Sequence, residues 1–318
     1  MSGVLSYLVF FLTTAAIYSI ASLGLNLQWG RTGLFNIGVS GFFAVGAYAY
    51  AILTISPLTG QPGLGWPVLA GLLGAMVAAG LFALLVGIPT LRLRDDYLAI
   101  ATIGIAITVQ LIATNEPELT GGTNGLFAIP QPVAGWLHGS GGVAFLILVL
   151  ICVALVYLAL ERMIHSPWGR VLVAIREDET AASSLGKSAF SFRLQSLVIG
   201  SMAMGLSGAL YAAFIKFISP QDFLPIFTFQ VWAMLILGGS GSSAGALLGS
   251  LVVWAIWTLS GGLIQAALPA KLQVDSGAIQ IILIGLLLML VILFRPSGLL
   301  GRKRPAVHRS TVPSKEQA

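Results

Sequence analysis

What most limits the fold of this chain is where its charges are missing. Runs with few or no ionisable side chains occupy approximately 4–27, 34–53, 66–89, 97–113, 141–160, 195–218, 227–239, 243–259 and 277–294. A hydrocarbon core takes roughly 20 apolar residues per helical crossing, and backbone groups without internal partners are too costly in lipid for open structures. The alternating pattern of a barrel strand is absent. The runs therefore predict an all-α fold, a polytopic transmembrane helical bundle of about nine spans, within a range of about eight to ten. Composition agrees: 57% of residues are hydrophobic and 8% charged, against about 25% charged in soluble domains. The 34–53 run is crowded with Gly and the 227–239 run is short. Each fits either a full crossing or a broken, re-entrant element buried in protein.

Charge placement orients the bundle. With the N-terminus outside, Arg31, Arg92, Arg94, Arg162, Arg170, Arg176, Lys187, Arg193 and the basic residues after Phe294 all fall on the cytoplasmic side. Only Lys216 and Lys271 of the sixteen basic residues are left outside. The opposite orientation inverts that excess, so the positive-inside rule selects an external N-terminus and a cytoplasmic C-terminus. The same rule accounts for the formal charge of +5, and no nucleic-acid partner is expected. The organisation read from these runs is one membrane domain over 1–294, with a cytoplasmic loop at 161–194, an external loop at 114–140 and a basic cytoplasmic tail at 295–318. The first residues lack the positive segment of a secretory signal and read as a retained first helix. The single cysteine, Cys152, reads as a small packing residue.

The stretch AASSLGKS at 181–188 fits a relaxed phosphate-binding loop. Such a loop needs a strand, a Gly-rich turn and a helix N-terminus aimed at phosphate. VLVAI at 171–175 has the composition of that strand, but Glu177, Asp178 and Glu179 follow it, where phosphate charge would approach. The space between two spans is also too short for a nucleotide domain. REDETAASSLG, 176–186, reads better as a surface helix. Acids lie at its start and Gly186 at its end, as helix termini prefer. It can dock into a groove on a soluble partner or simply join two spans.

SPWGRVLVAIREDETAASSLG (166–186) resembles the cytoplasmic coupling loop of bacterial ABC importer permeases, with Glu179, Ala181, Ala182 and Gly186 in the places of its Glu-Ala-Ala…Gly pattern and Thr180 inserted. Further stretches are similar to the M-type permease subunit of branched-chain amino acid importers of the LIV type. They are GLNLQWGRTGLFNIGVSGFFAVGAYAYAIL (24–53), LRLRDDYLAIATIG (91–104), LTGGTNGLFAIP (119–130), GLSGALYA (205–212), LILGGSGSSAGALLG (235–249) and LFRPSGLLGR (293–302). The resemblance implies a non-catalytic pathway subunit in the bacterial inner membrane. Its partners would be a second homologous permease, two cytoplasmic ABC ATPases and a periplasmic substrate-binding protein. It implies no cofactor on this chain, ATP and Mg being bound by the ATPases. Arg170, Arg176, Glu177, Asp178, Glu179, Ala181, Ala182 and Gly186 become the coupling candidates. Permeases for urea and short amides are near relatives and stand as the alternative cargo.

Other residues carry two readings. Asn26 and Asn36, and more weakly Gln110 and Gln195, lie in apolar surroundings. They either line the route of a zwitterionic solute or cross-link helices. Thr120, Gly121, Gly122 and Asn124 form either an anion-binding nest at an outer gate or a tight turn. Gly241, Gly245 and Gly249, spaced four apart, and Gly205 with Gly208 are expected to let helices pack closely. Asp95 and Asp96 read as a solvated cluster beside Arg92 and Arg94. His138, His165 and His308 have no second metal ligand at useful spacing, so no metal site is expected. Trp66, Tyr97 and Trp136 read as interfacial anchors. A self-sufficient secondary transporter is the competing class, but it normally buries ionisable groups mid-membrane. No catalytic constellation supports an enzyme.

Overall fold

The computed structural model describes residues 3–132, 141–267, 276–294 and 298–300. Trp136, His138, Lys271, His308 and most of the basic tail lie outside the described residues. The chain runs through α1 (Gly3–Leu25), which continues into a π-helical turn (Asn26–Arg31), then α2 (Val39–Thr54), α3 (Val68–Thr90), α4 (Asp95–Asn115) and the single turn α5 (Pro117–Thr120). It proceeds through α6 (Gly141–His165), α7 (Pro167–Glu177), α8 (Glu179–Ser184), α9 (Ala189–Ile215), α10 (Pro225–Gly238), α11 (Ser243–Ala267) and α12 (Ser276–Phe294).

Each of the nine predicted apolar segments is a helix. Six of the described helices are long and apolar enough to cross a membrane: Gly3–Arg31, Val68–Thr90, Asp96–Asn115, Gly141–His165, Ala189–Ile215 and Ser243–Gly262. The protein is an all-α, multi-pass membrane protein. Val39–Thr54 and Pro225–Gly238 are shorter apolar helices. At about 1.5 Å per residue, the 16-residue α2 and the 14-residue α10 fall short of a hydrocarbon core of about 30 Å. Both are largely buried in protein, which is where incomplete crossings are tolerated.

Burial sorts the helices into two shells. The second half of α1, most of α2, one side of α9 and most of α10 form the centre. By contrast α3, α4, α6 and α12 present large apolar side chains outward, among them Leu85, Ile100, Leu155 and Ile282. Aliphatic groups facing outward satisfy lipid, so the centre is fixed by close packing, including close backbone approach, and by hydrogen bonds between helices. Gly46 of α2 meets Gly205 of α9 so closely that a Cβ on Gly46 would collide with the Gly205 backbone. Gly208 lies against the Phe43 carbonyl, and Gly24 of α1 against the Gly200 carbonyl. Around α10, Gly238 faces Gly245, and Gly249 faces the Met234 carbonyl. Gly205, Gly208, Gly245 and Gly249 thus sit at crossings.

Gly241 does not share that face. It lies in the turn before α11, with φ +86°. A spacing of four has the same appearance in a turn as in a helix, and α11 begins only at Ser243.

At the end of the bundle away from α7, a two-residue antiparallel ladder, Leu126–Phe127 with Phe217–Ile218, ties the segment after α5 to the end of α9. Lys216, with φ +63°, closes α9, and a Ser219–Asp222 capping box opens the turn leading to α10.

Candidate functional site

The predicted surface helix 176–186 is two helices. α7 ends at Glu177, and Asp178 takes extended backbone angles, φ −153° and ψ 104°. Its carboxylate then accepts from the Ala181 N–H at 2.9 Å as the N-cap of α8. An N-cap requires a non-helical residue, so the acid expected inside one continuous helix instead breaks it. VLVAI, the strand of the nucleotide reading, lies within α7. Gly186, with φ +76°, stops α8 as expected. The Lys187 N–H donates to the Ala182 carbonyl and the Gly186 N–H to the Ser183 carbonyl, at 3.2 and 2.9 Å. That is a Schellman closure.

Three attachments hold this helix pair to the bundle. Ala182 is buried with Ile175 and Ala189 in a small apolar cluster. The Glu179 carboxylate pairs with Arg193 of α9 at 2.9 Å. The Arg176 guanidinium donates to the carbonyl of Gly30, inside the π-helical turn, and its Cγ lies against Gly33. Ala181 and Glu177 are exposed. So is Leu185, 81% exposed at the tip, an apolar knob that sequence reasoning passed over. Arg170 is exposed on the first turn of α7.

From Gly30 the structure leads to a polar layer in the centre of the bundle. Residues 32–38 leave the helical path between the π-helical turn and α2, so their backbone groups need side-chain partners. Asn36 is the hub of this segment. Its Nδ2 donates to Gln28 Oε1 at 2.8 Å, its Oδ1 accepts from the Gly38 N–H at 2.8 Å, and its carbonyl accepts from Trp232 Nε1 at 3.0 Å. Gln28 Nε2 donates onward to the Leu197 carbonyl at 3.0 Å and to Ser201 Oγ at 3.3 Å. The hydroxyls of Thr32 and Ser196 share a 2.6 Å bond. Thr102 of α4 accepts from the Ile37 N–H, and Thr228 of α10 accepts from the Ser40 N–H. Asn26 Oδ1 accepts from the Gly241 N–H at 2.8 Å. Both asparagines are buried, and these bonds make them cross-links between elements. Gln28, Thr32 and Trp232 were not singled out from sequence, because their partners lie on distant helices.

At the other end, Thr120 is buried and its hydroxyl donates to the Ala113 and Glu116 carbonyls, both at 2.7 Å. Gly121, Gly122 and Gly125 have positive φ, and the Gly125 position abuts the Ile218 carbonyl. TGGTNG forms a tight turn between α4 and the short ladder. Asn124 ends that turn. The rest of the predicted external loop, from 133 to 140, lies outside the described residues.

The arrangement is a surface helix pair joined through the Arg176 guanidinium to a break in the membrane core, and that break is bonded to helices from both halves of the chain.

The profile of the family described as the branched-chain amino acid transport system permease component matches residues 7–292. The chain is 34% identical over 316 residues to the high-affinity branched-chain amino acid transport system permease protein LivM of Escherichia coli, covering 92% of this chain and 70% of that protein. It is 29% identical over 317 residues to a probable LivM permease of Methanocaldococcus jannaschii, covering 90% and 91%. It is also 28% identical over 301 residues to the LivH permease of Escherichia coli, covering 91% and 93%. No solved structure matches the chain.

Proposed function

The chain belongs to the branched-chain amino acid transport permease family, and from that premise we propose that it is the membrane subunit of an ATP-driven importer of branched-chain amino acids. The relatives reported above are named for that cargo, which favours it over urea or short amides. Similarity to both LivM and LivH supports a pathway built from two homologous permeases, of which this chain supplies one. On this reading the chain is non-catalytic and binds no cofactor. ATP and Mg are bound by two cytoplasmic ATPases, and a periplasmic binding protein delivers the solute.

The observation that carries the mechanism is the bond from Arg176 to the Gly30 carbonyl. An ATPase that grips α8 at Leu185 and the Glu177–Glu179 edge moves α7, and Arg176 passes the motion to the π-helical turn. Gln28 and Asn36 then couple that turn to α9 and α10. Asn26, Asn36 and the Thr120–Asn124 turn serve the pathway by holding its walls, the former pair in the core and the latter beside the outer end. The charge pattern supports nine passages of the membrane, two of them made by the short buried helices α2 and α10 with the non-helical chain beside them, and an external N-terminus with a cytoplasmic C-terminus; the family supports residence in the inner membrane.

The test is removal of 178–186 from the full chain, followed by copurification with the ATPases. The reading expects the variant to insert in the membrane and to lose its ATPases. Undiminished copurification contradicts it.

A further inference from the structure

Tyrosines from three helices meet one carboxylate at the end of the bundle away from α7. Tyr18 of α1, Tyr48 of α2 and Tyr211 of α9 lie within electrostatic reach of Asp222, and the Tyr211 hydroxyl is hydrogen-bonded to it. Asp222 Oδ2 also accepts from the Ser219 N–H at 2.8 Å and from the Ser219 hydroxyl at 3.1 Å. A carboxylate offers about four acceptor positions, so these bonds leave it capacity. Among the described residues Asp222 makes no ion pair. It is half-buried in the turn before α10, between the outer end and the centre.

Tyr48 carries the complementary group. It is 6% exposed, and its buried hydroxyl has no hydrogen-bond partner among the described residues. A buried donor left unbonded is costly, and this one stands near Asp222 without bonding it. A spare acceptor with negative charge beside a spare donor matches the two ends of an α-amino acid. The surroundings are aromatic. Ring centroids of Tyr48 and Phe223 are 5.3 Å apart, those of Tyr211 and Phe43 5.5 Å, and those of Phe43 and Phe227 4.3 Å. Tyr18 lies 6.3 Å from Tyr211 and 5.1 Å from Phe227. Ring faces attract an ammonium within about 6 Å, and they also receive aliphatic side chains. A hard divalent cation needs about six or more oxygen ligands, and no group of three His, Cys, Asp or Glu side chains forms among the described residues. We infer that this cluster is a seat for an apolar amino acid in transit: Asp222 takes the ammonium, the Tyr48 hydroxyl donates to the carboxylate, and Phe43, Phe223 and Phe227 receive the side chain. The inference deepens the importer reading and rests on it.

The experiment is uptake of labelled leucine by proteoliposomes holding the permease pair and its ATPases, measured against the concentration of leucine-loaded binding protein. Tyr48→Phe removes a hydroxyl that bonds nothing among the described residues, so a purely structural tyrosine loses nothing by it. Asp222→Asn keeps an oxygen acceptor for the Ser219 cap. Both variants should keep the wild-type unfolding midpoint, ATPase copurification and half-saturating concentration of binding protein. Their maximal uptake rate should fall about tenfold, the scale of one lost hydrogen bond to a charged group. A wild-type maximal rate in either variant overturns the assignment. So does a raised half-saturating concentration at an unchanged maximal rate, which would place Asp222 in the contact with the binding protein. Should Asp222→Asn misfold, Tyr48→Phe decides alone. These outcomes leave the importer reading standing; absence of leucine uptake by the wild-type assembly removes that reading and the seat with it.

Discussion

The guanidinium of Arg176, at the end of α7, donates to the main-chain carbonyl of Gly30 in the π-helical turn that closes α1. The two residues are 146 positions apart, and this contact joins the surface helix pair to the buried layer organised by Gln28 and Asn36. A π-helical turn is a common place for function because its hydrogen bonds are locally irregular. Here its carbonyl is within reach of a side chain from the surface.

Arg176→Ala therefore uncouples rather than unfolds. A hydrogen bond to a charged group contributes about 1.5–3 kcal/mol, so uptake by the reconstituted importer should fall roughly tenfold or more. ATPase copurification should stay near wild type, because Leu185 and the acidic edge of α8 are untouched. Parallel loss of uptake and copurification would place Arg176 in docking instead.

The cap of α8 gives a complementary prediction. Asp178→Ala removes the acceptor for the Ala181 N–H, at a cost of about 1 kcal/mol to the helix. Gly186→Val forces a β-branched residue into φ +76°. Both variants should weaken ATPase association measured by titration of the ATPase onto the permease in nanodiscs. Asp178→Asn, which keeps an oxygen acceptor, should restore most of it.

Gln28 and Asn36 should behave as one unit. Gln28→Leu leaves the Asn36 amide donor without its partner, and an orphaned buried polar group costs about 1–3 kcal/mol. Asn36→Leu has a similar effect. In a double-mutant cycle read by thermal unfolding in detergent, the pair should be non-additive, the double variant losing clearly less than the sum. Additive losses would show that the two side chains act separately.

Close backbone crossings set the tolerance of the centre. A Cβ at Gly46 would overlap the Gly205 backbone. Gly46→Ala should thus lower the unfolding midpoint by an overpacking penalty of about 1–3 kcal/mol or more. Gly104→Ala, where an added Cβ meets nothing within 4 Å, is the control expected not to lower the midpoint, since Ala suits a helix interior better than Gly.

Much of this fold can be read from the chain because lipid imposes a simple rule: uncharged runs of sufficient length must be helices. That rule locates all nine segments, and the crowding of small residues at Gly205 and Gly208 marks their crossing points. It is silent where tertiary partners decide. Asp178 has the same acidic character whether it begins a turn of helix or ends one, and only the non-helical backbone before Ala181 reveals a cap. Gly241 keeps the spacing of Gly245 and Gly249, yet Asn26, more than two hundred residues earlier, takes its N–H outside the helix. Gln28 and Asn36 are eight apart, a separation that matches neither helical neighbour position. Their bond exists because 32–38 leaves the helix.

Topology is accessible to labelling. With Cys152 replaced by Ala, a single cysteine at position 124 should react with a membrane-impermeant maleimide in intact spheroplasts. One at position 303 should react only after the membrane is opened. Reversed labelling would invert the orientation proposed from the basic residues.

Motion is proposed to reach the transport pathway from outside this chain, through α7 and α8. The most direct measurement is uptake of labelled leucine into proteoliposomes containing the permease pair and its ATPases, with binding protein on the outside and ATP within, compared with liposomes holding this chain by itself. ATP-dependent accumulation is expected in the complete assembly, with its loss on deletion of 178–186, and the single chain should neither accumulate leucine nor hydrolyse ATP. Concentrative uptake by the single chain, or full uptake by the deleted assembly, would contradict it.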